Sequence, residues 1–61
     1  MATCIITMKN GSERYVNIGN YGYWWEEEDG YFYLYKNDCP EGTLIAKFKL
    51  SQICGYYFDD D

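Results

Sequence analysis

Glu26, Glu27, Glu28 and Asp29 form the densest run of carboxylates in the chain. Alternate side chains of an extended strand leave on opposite faces, so Glu26 and Glu28 share a face and Glu27 points away. Two carboxylates on one face are the raw material of general acid–base chemistry and of glycosidic bond cleavage. That chemistry needs a cleft that separates the pair, and a chain of 61 residues has little wall from which to build one. The run reads instead as a solvated hairpin tip, or as a negative patch offered to a basic partner.

The remaining reactive groups are sparse. Asp59, Asp60 and Asp61 lack the spaced oxygen ligands and the glycine of a calcium loop. Cys4, Cys39 and Cys54 form no Cys-x-x-Cys pair, and the chain has no His to activate a thiolate or complete a zinc site. The odd count leaves at least one thiol unpaired, and reduced thiols are expected, with Cys39 to Cys54 the most plausible disulfide. Neither G-x-x-x-x-G-K nor G-x-G-x-x-G occurs. The residues therefore predict no enzyme, no cofactor and no metal.

Aromatic residues are the second chemical resource. Trp24, Tyr31, Tyr33 and Tyr35 fall on one face of a strand pair, interleaved with Glu26 and Glu28, with Tyr21 and Tyr57 as further candidates. Such rings can stack nucleic-acid bases. The cations that would meet the phosphates are Lys9, Arg14, Lys36, Lys47 and Lys49 alone. Lys47 and Lys49 share a face with room for one or two phosphates. Against a net charge of -5 that is thin, so direct nucleic-acid binding is not expected. Tyr and Trp supply large contact areas at low entropic cost, which suits a protein partner.

Strands must position these groups. Thr3 to Met8 and Ser12 to Ile18 flank Asn10-Gly11, a two-residue turn signal that pairs Thr7 with Arg14 and Ile5 with Val16. Tyr23 to Glu28 and Tyr31 to Lys36 flank Asp29-Gly30. That turn pairs Trp25 with Leu34 and Glu27 with Phe32 on a core face, and Trp24 with Tyr35 and Glu26 with Tyr33 on the other. Thr43 to Leu50 alternates cleanly, with Leu44, Ala46, Phe48 and Leu50 facing inward. Ser51 to Ile53 suggests one 3₁₀ turn, and Cys54 to Phe58 a short last strand.

These elements predict an all-β fold: a small curved antiparallel sheet or a partly open barrel of five to six strands, of which an SH3-like barrel is one form. A flat meander that dimerises through its aromatic face is the alternative. Residues 1–58 are expected to form a single β domain, and residues 59–61 a flexible acidic tail.

Composition sets the outer bounds. The chain is 48% hydrophobic and 21% aromatic, too apolar for a disordered acidic segment. No run of about 20 apolar residues is present to span a bilayer, and no targeting segment is recognisable, so a cytoplasmic location is expected. The combined reading is a small acidic protein-binding module. Its face of Trp24, Glu26, Glu28, Tyr31, Tyr33 and Tyr35, with Glu27 and Asp29 beside it, would meet a protein with a basic surface. In the sharper form it is an inhibitor that occupies a nucleic-acid-binding surface by charge mimicry. The alternative is a structural homo-oligomer, a homodimer in its simplest form, assembled through the same aromatic face.

Overall fold

Six segments carry β-branched or aromatic residues at three or four of seven positions, and each becomes a strand. The computed structural model describes residues 1–60. The strands are β1 (Ala2–Met8), β2 (Glu13–Gly19), β3 (Gly22–Glu28), β4 (Tyr31–Asn37), β5 (Thr43–Lys49) and β6 (Ile53–Asp59). One 3₁₀ turn, Leu50–Gln52, joins the last two. They form two three-stranded antiparallel sheets with orders β2-β1-β6 and β3-β4-β5. The all-β expectation holds, in a form compatible with a partly open barrel or an SH3-like fold.

The sheets pack as two layers, and the short principal axis of 11 Å is close to the usual spacing of about 10 Å between stacked sheets. Ala2, Cys4, Ile6, Ile18 and Ile53 of the first sheet meet Phe32 and Leu34 of the second in one buried cluster. Phe32 and Tyr56 join the layers with ring centroids 4.4 Å apart. Along the β3 and β6 edges, Phe58 stacks on both Tyr23 and Trp25 at 4.6 Å.

The two hairpin turns differ despite their similar sequences. At Asp29-Gly30 both residues have positive φ, 53° and 81°, as a type I′ turn requires. The β3–β4 register is the expected one, with Trp25 opposite Leu34 and Glu26 opposite Tyr33. At Asn10-Gly11 only the glycine has positive φ, at 92°. The Gly11 amide donates to the Met8 carbonyl at 3.0 Å, and the Met8 amide to the Ser12 carbonyl at 2.8 Å. This is a three-residue loop closed by a glycine bulge. The Asn10 side-chain oxygen helps to set it by accepting from the Ser12 amide at 2.9 Å and the Ser12 hydroxyl at 2.7 Å.

The expected β1–β2 pairing is thereby corrected by one residue: Thr7 lies opposite Glu13 and Ile5 opposite Tyr15. Cys4 and Ile6 face the core, while Ile5 turns to the outer face. There Ile5 is buried in register between Tyr15 and Tyr57, which stay exposed.

Three more expectations change. A register shift places Leu34 opposite Ala46 but Tyr35 opposite Leu44, so Ile45 is the extra residue of a bulge. Ile45 joins the core, and Leu44, expected inward, is 48% exposed on the outer face. Trp25 lies on the inner face as expected but is 44% exposed, because β3 is an edge strand and the narrow sandwich ends beside it. The last strand is longer than expected, and Asp59 closes β6 opposite Thr3. Asp60 follows the strand and accepts from the Tyr23 hydroxyl at 3.1 Å. Asp61, the end of the expected tail, lies outside the described residues.

Candidate protein-interaction surface

The outer face of the second sheet collects six of the eight candidate residues. Cross-strand partners share a face, so the register fixes three rows. Glu28, Tyr31 and Lys49 form the row next to the Asp29-Gly30 turn. Glu26, Tyr33 and Lys47 form the middle row, and Trp24, Tyr35 and Leu44 the last. The face is graded across its strands: acidic on β3, aromatic on β4, basic on β5 beyond the apolar row.

The aromatic column is half-buried, and its rings pack on one another. Trp24 and Tyr35 stack with centroids 5.0 Å apart and planes 10° from parallel. Tyr31 and Tyr33 tilt against each other at 6.2 Å. The Lys47 ammonium stands 4.3 Å from the Tyr31 ring centroid and 5.5 Å from that of Tyr33. Each cation–π contact at such an exposed site contributes about 0.5–1 kcal/mol.

A turn-rich loop supports the Trp24 end. The Gly42 amide donates to the Cys39 carbonyl at 3.0 Å, and the Thr43 hydroxyl to Asp38 at 2.7 Å. That hydroxyl holds the Asp38 carboxyl below its ordinary range; burial works against the shift, and Lys36, at 3.5 Å, reinforces it. Gly42 has φ +77° and lies under the indole of Trp24.

The remaining candidates sit apart. Glu27 is on the opposite face of β3, where its carboxylate accepts from the Tyr56 hydroxyl at 2.5 Å. Asp29 occupies the turn itself. Glu26, Glu27 and Glu28 are all exposed along the β3 edge. Among the described residues none of the three forms an ion pair with a lysine or arginine of the same chain.

Two further candidates lie off this surface. Tyr57 belongs to the outer face of the first sheet, and the Tyr21 ring stands 5.0 Å from the Lys36 ammonium. Sequence reasoning missed Tyr15, 67% exposed beside Ile5, because the one-residue error in β1–β2 pairing placed it with Ile6. The Asn10-Ser12 pair was the available signal.

An open hollow on the first sheet is lined by Met1, Thr3, Tyr15, Asn17 and Asp59, away from Glu26 and Glu28. Among the described residues, no three His, Cys, Asp or Glu side chains converge as a metal site. All three cysteines are free, with Cys4 buried and Cys39 and Cys54 exposed. No helix among the described residues is long and apolar enough to cross a membrane. Comparison with protein-family models, with curated proteins and with solved structures finds no match for this chain.

Proposed function

We propose that this protein is a binding module that docks another protein through the outer face of β3-β4-β5, its acidic β3 edge leading. The observation that carries this reading is the array of Glu26 and Glu28 beside half-buried Tyr31 and Tyr33, with no intrachain cation paired to either carboxylate among the described residues. The aromatic patch supplies contact area, and the unpaired carboxylates supply orientation and a fast, salt-sensitive approach. Glu27 and Asp29 extend the negative edge around the hairpin tip. The partner is a protein with a basic surface. Where that surface normally holds nucleic acid, the carboxylates take the place of phosphates and the protein acts as an inhibitor.

Competition tests this reading. A fluorescent DNA duplex is bound to each of several basic DNA-binding domains and titrated with the protein. Displacement is expected for at least one domain, weakening steeply as salt rises from about 50 to about 200 mM. The variant carrying Glu26→Gln, Glu27→Gln and Glu28→Gln is expected to fold normally and to compete at least tenfold less well. Equal competition by that variant at low salt would refute the charge-based reading.

A further inference from the structure

We infer that the outer face of the second sheet also docks onto the same face of a second copy of this chain, about a two-fold axis running along β4. The inference rests on the reading of this face as a protein-binding surface, and it names a partner that the charge pattern fits.

Glu26 and Glu28 lie on β3, Lys47 and Lys49 on β5, and the tyrosine column of β4 separates them. Opposite charges therefore stand two strands apart, about 9.6 Å, and do not pair within one chain among the described residues. A symmetric contact between two such faces has two simple two-fold arrangements. An axis across the strands lays the β3 column over β3 and the β5 column over β5 with the rows reversed, so that, centred on the middle row, Glu26 meets Glu26 and Lys47 meets Lys47. An axis along β4 lays the β3 column of one copy over the β5 column of the other. Glu26 then meets Lys47 of the second copy, and Glu28 meets Lys49.

The apolar end follows the same symmetry. Trp24 and Leu44 occupy the two sides of the last row, with Tyr35 between them. The axis that pairs the charges also sets Trp24 over Leu44 of the second copy. This gives the 48% exposed Leu44 an apolar neighbour. The bulge at Ile45 makes this possible, because an unbroken β5 would turn Leu44 inward. Tyr31, Tyr33 and Tyr35 face their own counterparts along the axis, as offset or edge-on ring pairs.

The patch is small. Three strands give an interface at or below the lower end, about 1,200 Å² in total, of those that hold specific complexes. The dimer is therefore a dissociating one, with a midpoint on the order of tens of micromolar. It occupies the carboxylates that a basic partner would use, so self-association and foreign binding compete.

Charge exchange tests the axis. Sedimentation velocity of the wild-type chain from about 5 to about 500 µM is expected to show a monomer converting to a dimer, a range that brackets the expected midpoint. The double variants E26K/E28K and K47E/K49E are each expected to remain monomeric across the same range, because like charges then face each other. An equimolar mixture of the two sets four lysines on one face against four glutamates on the other, and the heterodimer is expected to return. Circular dichroism checks that both variants stay folded. A wild-type monomer throughout would overturn the inference, as would dimerisation of either variant alone, or folded variants that fail to associate when mixed. The DNA-displacement measurement on dilute protein is independent: a strictly monomeric chain can still displace DNA, and a dimer can form in a chain that displaces none.

Discussion

The six-membered ring of the Trp24 indole occupies the space where a side chain on Gly42 would begin. A β-carbon there would overlap Cη2 and lie 2.9 Å from Cζ3. The glycine also has φ +77°, a conformation that costs other residues about 1–2 kcal/mol. One backbone position thus sets both the end of the β4–β5 loop and the seat of an aromatic side chain on the candidate surface.

Gly42→Ala is expected to destabilise the fold by roughly 2–4 kcal/mol, from backbone strain plus a displaced indole. Gly11→Ala is the control. Its φ is +92°, but beyond its own chain neighbours no heavy atom lies within 4 Å of the new methyl, so about 1–2 kcal/mol of backbone cost is expected. Urea denaturation measures both. In a Trp24→Ala background the two glycine substitutions should converge, since only the backbone cost remains at position 42.

Phe32→Ala and Tyr33→Ala separate core from surface within one strand. Phe32 is fully buried and joins the two sheets, so its truncation is expected to cost about 3–5 kcal/mol, enough to unfold much of so small a domain. Tyr33 faces outward and should cost about 1 kcal/mol. Similar losses of stability for both would contradict the assigned faces.

The thiols are expected to react in two classes. Cys39 and Cys54 are exposed and should label within minutes with an aromatic disulfide reagent. Cys4 is buried, and burial pushes its thiol from an ordinary value of 9.0 up to about 11. It should label only after unfolding, so the native protein should show two reactive thiols and the denatured protein three.

Alkaline pH is expected to weaken the fold. In the unfolded chain the Cys4 thiol loses its proton near pH 9, whereas in the folded chain it holds it to about 11. The unfolded state binds fewer protons across that window, so stability falls as pH rises through it. Tyr23 and Tyr56 act in the same direction above about pH 10. Burial raises both, with the bonds to Asp60 and Glu27 adding to it; Tyr15 is raised chiefly by its bond to Glu13. Thermal melts from pH 7 to pH 11 measure the decline. Cys4→Ala should flatten its first part, whatever it does to the melting point at neutral pH.

How far the sequence foretold this molecule is clearest from the two hairpins. Asp29-Gly30 alone determined its turn, and with it the register that brings Trp24, Glu26, Glu28, Tyr31, Tyr33 and Tyr35 to one face. Asn10-Gly11 carries nearly the same local signal, but Ser12 engages the Asn10 side chain and the loop takes one more residue. The β5 bulge was illegible because the alternation of Thr43 to Leu50 suits an unbroken strand; it shows only in the register against β4. The charge gradient across the candidate face followed only once β5 was known to pair with β4, a contact between segments that no local pattern specifies.

Trp24 and Trp25 are neighbours in sequence but look out of opposite sides of β3, one beside Tyr35 and the other beside Phe58. The chain therefore carries two built-in optical probes that answer different questions. With Trp25 replaced by Phe, the remaining emission senses whatever settles on the outer face. With Trp24 replaced instead, it senses the two layers parting, and docking and unfolding can be watched separately in one molecule without an added dye.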